Sequence, residues 1–294
     1  MRQSGTLGGI ERPPVVVHRH DSALGRWEMA RVLPERSLRP YVSQYVGWIE
    51  HMAAPLCRRE LPTDEVPVII NFGAPVRVWD AGESTRYADL GSFAAGAYDT
   101  FVRVTSMGAS GGIQINFTLL GARLFLGRPL RDLANRSVAL EDLFGADATR
   151  LTMQLHEAGS WNARFDLLDR EIGARFSAAR APADGVLWTW RRIVAARGRV
   201  RIGAIVAEVG WSQKHLIARF SDEIGLTPKT LARVLRFARA AETLRRGGAS
   251  LADLAIDCGY YDQAHFTRDF RAFAGVTPTE LVASLLPDGG GIRS

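Results

Sequence analysis

The chain has 294 residues, with 37 Lys and Arg against 31 Asp and Glu, a formal net charge of +6. Its 47% hydrophobic and 23% charged content is that of a folded globular protein long enough for two cores, which excludes disordered and collagen-like classes. Only Cys57 and Cys258 are cysteines, no run approaches the roughly 18 apolar residues of a membrane span, and no secretory signal is present, so a reducing cytoplasm is expected.

Residues 1–20 are Gly-rich and contain proline, and are expected as a flexible tail. Residues 21–180 then read as an N-terminal domain. Residues 38–48 carry helical spacing and are expected as a short helix. Residues 66–72, 76–78, 101–104 and 113–117 are rich in β-branched and aromatic side chains and bounded by glycine, which predicts strands. Helical periodicity returns at 121–125, 151–156 and 164–176. The expectation is a small, mainly antiparallel sheet or barrel followed by helices, ending in a connection at 179–184.

Four features of the chain bear on chemistry. Gly108-Ala109-Ser110-Gly111-Gly112 matches a nucleophile-elbow pattern, but the following residues read as a strand where the elbow needs a helix, so Ser110 is expected in a hairpin loop. The six histidines make no metal-ligand spacing with cysteine or with each other. Trp48, Trp79, Trp161, Trp188 and Trp190 could line a ligand pocket, although buried aromatics are more often core. Asp64-Glu65, before the first of the predicted strands, could orient a polar ligand, although a capping or turn role is the more common one. No catalytic residue, metal site or cofactor is expected.

The C-terminal third contains a duplicated stretch. Gly210-Trp211-Ser212-Gln213-Lys214-His215-Leu216-Ile217-Ala218-Arg219-Phe220 is followed by Gly225-Leu226-Thr227-Pro228 and Leu231. Gly259-Tyr260-Tyr261-Asp262-Gln263-Ala264-His265-Phe266-Thr267-Arg268-Asp269-Phe270 is followed by Gly275-Val276-Thr277-Pro278 and Leu281. One extra residue in the second turn accounts for the single slip in spacing. A repeat over so many typed positions is a fold-level signal.

Each copy predicts a short helix, a glycine turn and a second helix. Ile202, Ile205, Val206 and Val209 make one apolar face; Gly210 suits a left-handed C-cap and Ser212 an N-cap. Leu216 and Phe220 anchor the next helix inward. Leu251, Leu254, Ala255 and Cys258, then Gly259, Asp262, Phe266 and Phe270, repeat the scheme. This is the helix-turn-helix pattern, whose second helix enters the major groove of DNA. Gln213, Lys214, Ile217 and Ala218, and Gln263, Ala264, Thr267 and Arg268, are then the outward residues. Gln suits adenine, Arg guanine and apolar groups the thymine methyl. Residues 185–294 hold 16 Lys and Arg against 10 Asp and Glu, so they carry the whole of the chain's excess charge, as phosphate attraction requires. Between the copies, residues 228–246 read as one helix of roughly 27 Å, with proline at its start and Gly247-Gly248 after its end.

These residues resemble the C-terminal DNA-binding domain of the AraC/XylS family of bacterial transcription regulators, over about residues 185–284. The second unit carries most of the likeness, in Ala255, Gly259-Tyr260, Phe266, Arg268, Phe270 and Gly275-Val276-Thr277-Pro278. The stretch from Gly121-Ala122-Arg123 to Leu143-Phe144-Gly145 resembles an uncharacterised N-terminal domain of some such regulators. The resemblance implies an α+β chain: a sheet or barrel-like regulatory domain with helices, an all-α double helix-turn-helix, and a tail at 285–294. It implies promoter DNA as partner, with RNA polymerase, a second copy of the chain and an unidentified small effector as further candidates. Val206 stands where the family usually has alanine. Ile217 and Ala218 are apolar where polar readers often sit, pointing to weaker base selection or thymine-methyl contact in the first unit. The competing readings make the N-terminal domain an enzyme or a protein-docking module, with DNA binding serving only localisation.

Overall fold

The computed structural model describes residues 12–82, 85–106, 108–247, 250–286 and 291–294. Its N-terminal part starts with ten strands: β1 (Val16–Ser22), β2 (Gly25–Val32), β3 (Val42–Met52), β4 (Leu56–Glu60), β5 (Glu65–Asn71), β6 (Val76–Trp79), β7 (Tyr87–Leu90), β8 (Phe93–Ala95), β9 (Val102–Ser106) and β10 (Ala109–Thr118). Helix α1 (Leu119–Leu126), β11 (Ser137–Ala139), and helices α2 (Leu140–Phe144), α3 (Ala146–Glu157) and α4 (Trp161–Ala178) follow. One sheet runs β1-β2-β3-β10-β5-β8-β11 and the other β4-β9-β6-β7, with antiparallel pairing throughout. The C-terminal part is helical: α5 (Asp184–Ala195), α6 (Ile202–Val209), α7 (Gln213–Ile224), α8 (Pro228–Arg246), α9 (Leu251–Asp257), α10 (Gln263–Ala274) and α11 (Pro278–Ala283).

Alternation builds the centre of the larger sheet. Val66, Val68 and Ile70 of β5, and Ile113, Ile115 and Phe117 of β10, are fully buried. Each contributes about 1.5–3 kcal/mol of burial free energy. Helices α1 and α4 close over this face. Phe117 stacks on Phe125 with ring centroids 4.6 Å apart, and Tyr45 on Phe165 at 5.7 Å. Gly112 is required in β10, since a Cβ there would lie 2.3 Å from the Ile70 carbonyl and 2.6 Å from the Trp48 ring.

Several expectations need correction. Residues 38–48 do not form a helix; they are a turn leading into β3. A bulge explains the misreading. Phe117 pairs with Val42 while Asn116 pairs with Gln44, so one extra residue intervenes. The inward side chains Val42 and Tyr45 therefore stand three apart, which imitates helical spacing.

The proposed tail at 1–20 is ordered from Arg12 onward; its first part, residues 1–11, lies outside the described residues. Residues 16–20 belong to β1, and Arg12 inserts its guanidinium between Asp166 (2.7 Å) and Asp169 (3.2 Å) of α4. The tail proposed at 285–294 is likewise tied down where it is described. The Ile292 carbonyl accepts from the Arg59 amide at 2.8 Å, the Ser294 amide donates to the Cys57 carbonyl, and Ile292 is 1% exposed. These bonds satisfy the open edge of β4.

Ser110 lies within β10 and not in a loop. It accepts from Trp48 Nε1 at 3.1 Å and donates to Glu50 at 3.0 Å, and a strand follows it. Those bonds commit it to a structural network. The tryptophans are scattered: Trp161 covers Gly47, Trp79 meets Tyr87, and Trp188 bonds Glu208.

Candidate nucleic-acid interface

Both helix pairs form as their local sequence directs. Gly210 takes φ +73° after α6, and the Ser212 hydroxyl accepts from the His215 amide to start α7. Gly259 takes φ +82° after α9, and the Asp262 carboxylate accepts from the His265 amide to start α10. Such caps contribute about 1 kcal/mol each. On the inner faces Leu216, Phe220, Phe266 and Phe270 are all 0% exposed.

The two histidines have matching roles. Trp211 meets His215 edge-to-face at 4.7 Å, and Tyr260 meets His265 the same way at 5.4 Å. With Trp211 equivalent to Tyr260, the extra residue of the second turn is Tyr261, which is 90% exposed. The one-residue slip between the copies held that information, although sequence reasoning gave Tyr261 no role.

The outer faces are open. Gln213, Lys214 and Ala218 are exposed and Ile217 is half-buried; Gln263, Ala264 and Arg268 are exposed and Thr267 is half-buried. The Thr267 hydroxyl donates to the Gln263 carbonyl at 2.9 Å, so it is already engaged by its own helix. All eight residues named from the sequence therefore lie on the first two turns of α7 and α10, away from the aromatic anchors. Lys214 and Arg268 make no ion pair among the described residues, nor do Arg191, Arg199, Arg201 and Arg239. Cations without an ion pair need break none to meet phosphate.

Helix α8 joins the units. Thr227 caps it and Pro228 occupies its first turn. Leu231, Val234, Phe237, Ala240, Ala241 and Leu244 form its buried apolar stripe. Phe237 packs 5.0 Å from both Phe270 and Phe273, and Arg233 binds Asp269 at 2.6 Å. The second unit is thus fixed on the same rod that leaves the first. Burial, then the Asp269 carboxylate, pushes the Tyr260 phenol up, so it stays protonated beside that rod.

The C-terminal ends of α7 and α10 face the sheet domain. Gly225 (φ +83°) ends α7, and a Cβ there would lie 3.0 Å from the Leu130 carbonyl. Gly275 (φ +70°) ends α10, and a Cβ there would lie 2.3 Å from the Phe101 ring. The Arg59 guanidinium lies 4.5 Å over that ring and donates to the Ala274 carbonyl. On the first unit Arg123 and Glu223 form a buried ion pair at 2.6 Å, and Arg131 pairs with Asp222. Repeat-equivalent glycines are therefore both docking points, leaving the N-terminal halves of α7 and α10 open to solvent. No single-sequence signal reports such contacts, because the partners lie 91 to 215 residues apart.

Among the described residues no helix is long and apolar enough to cross a membrane. Comparison with known proteins adds two family matches: a helix-turn-helix domain over residues 205–284, and a domain of unknown function (DUF6597) over residues 30–139. The chain is 33% identical over 81 residues to "Probable transcription factor PqrA" of Proteus vulgaris, covering 28% of this chain and 66% of that protein. It is 31% identical over 78 residues to the "HTH-type transcriptional activator RhaS" of Escherichia coli, covering 26% of this chain and 28% of that one. The matched stretch thus spans about a quarter of the RhaS chain. Among solved structures, ToxT from Vibrio cholerae is similar over 78% of this chain and 96% of its own, at 10% identity and a TM-score of 0.45.

Proposed function

From the premise that the C-terminal domain of this chain belongs to the AraC/XylS family of bacterial transcription regulators, we propose that the protein is a sequence-specific regulator reading promoter DNA in the cytoplasm. It acts by binding and is not an enzyme. The observation that carries this reading is the pair of equivalent helices, α7 and α10, closed inward on Leu216, Phe220, Phe266 and Phe270 and open outward along their first two turns.

In this reading residues 185–284 bind DNA and residues 21–180 are the regulatory domain. Gln213 and Lys214 give the first unit its polar contacts, and Ile217 and Ala218 meet thymine methyls. Gln263 reads adenine, Arg268 reads guanine bidentately, and Ala264 and Thr267 make close apolar contacts. The sheet domain holds both reading helices by their C-terminal ends, so a change at its Arg123, Arg131, Phe101 or Arg59 contacts alters how the pair is presented. A small effector or a second copy of the chain is the agent of that change, and RNA polymerase is the downstream partner.

The test is Arg268→Ala, measured against duplexes varied one base pair at a time. The loss should be about 1–3 kcal/mol, confined to one guanine. A uniform loss over all sequences would make Arg268 a phosphate contact, and no loss would remove α10 from the interface.

A further inference from the structure

Between the two units lies an open cleft of about 530 Å³. One wall is a single face of α8, where Lys229, Ala232, Arg233 and Arg236 recur at helical spacing. Val200 and Ile202, leading into α6, form another wall, and His265 in the first turn of α10 closes the third. Positive charge converges here and is only partly neutralised. Arg233 is paired with Asp269, but Lys229 is exposed and makes no ion pair among the described residues. Arg236 lies 5.4 Å over the Tyr260 ring, and its buried Nε has no hydrogen-bond partner among the described residues. The Tyr260 hydroxyl, on a side chain 5% exposed, has none either. Unpaired buried donors next to an unneutralised cation call for an acceptor with negative charge.

The position of the cleft narrows the choice. His265 follows Gln263 and Ala264 on α10, and Ile202 begins the first unit. A duplex read by both units carries a stretch of sugar–phosphate backbone between its two major-groove segments. The apolar walls, Val200, Ile202 and Ala232, suit a deoxyribose beside the charge. We propose that this cleft seats one backbone phosphate of the bound DNA, between the half-sites, held by Lys229, Arg236 and His265. The inference rests on the DNA-binding reading above and adds a site to it.

The experiment uses the intact chain, Lys229→Ala, and a duplex carrying the selected sequence with single phosphates replaced in turn by neutral methylphosphonate. Lys229 is exposed on α8, so its replacement leaves the fold intact. One substitution between the half-sites should weaken the unaltered protein about five- to tenfold and have no further effect on Lys229→Ala. The salt slope of the variant should fall by about 0.9 with its base preference unchanged. Equal losses for both proteins at every position, or no sensitive position at all, would overturn the site while the unaltered protein still selects its sequence. Failure of the unaltered protein to select any sequence would instead remove the DNA-binding reading and the site with it. A thermal shift with inorganic phosphate, present in the unaltered protein and lost in Lys229→Ala, would assign the cleft to a free anion if the methylphosphonate profile is flat.

Discussion

Arg268 and Arg123 show how differently one residue type is used along this chain. Arg268 is exposed on α10 and makes no ion pair among the described residues, whereas Arg123 is 9% exposed and bonded at 2.6 Å to Glu223, itself 7% exposed. Removing one partner of such a pair strands a charge in a dry interface. Glu223→Gln should therefore lower unfolding stability by about 3 kcal/mol, read from urea denaturation of the whole chain. A change under about 0.5 kcal/mol, the size of an ordinary surface substitution, would show that this pair does not hold the domains together. The exposed positions of α7 and α10 were readable from sequence because helical periodicity assigns inward and outward faces without reference to the rest of the molecule. Arg123 was not readable, since its partner is 100 residues away. Ser110 was misplaced for a related reason: the strand was expected to begin only after it, while Trp48 and Glu50 on the adjacent strand hold it in the sheet.

At the scale of elements, local rules succeeded wherever the local sequence contained the whole cause. The Pro228 start of α8, the Ser212 and Asp262 caps and the glycine ends each depend on a few adjacent residues. Strand β3 failed that test, because its bulge placed Val42 and Tyr45 at helical spacing and only pairing with β10 resolves the ambiguity. Strands β1 and β4 escaped notice because neither is a run of buried β-branched residues: β1 is almost wholly exposed. The glycines give a graded prediction. Gly210→Ala meets nothing within 4 Å and suffers only the left-handed backbone cost of about 1–2 kcal/mol. Gly275→Ala suffers the same cost and also drives a methyl into Phe101, adding about 1–3 kcal/mol. Thermal unfolding should rank Gly275→Ala clearly below Gly210→Ala. Equal losses would mean that α10 does not dock on Phe101.

The whole molecule joins a sheet domain to a pair of helix-turn-helix units through one continuous apolar core, which runs from Ile113 and Phe117 through Leu130 to Leu216 and Phe270. Charge and repeat made the helical third legible. They could not reveal that Gly225 and Gly275, equivalent in the repeat, are the two points where the sheet domain grips it. Nor could they show Arg12 and Ile292 folding back onto the sheet domain from either end of the chain. Helix α8, 19 residues and about 28 Å long, links the two helix-turn-helix units. The direct test is selection of bound sequences from a random DNA pool by the intact chain at fixed, near-physiological salt. Two half-sites about 10 base pairs apart, one carrying the guanine lost on Arg268→Ala, are the predicted result. Recovery of no shared sequence, with binding that disappears as salt rises, would contradict it and reduce the interface to phosphate attraction alone.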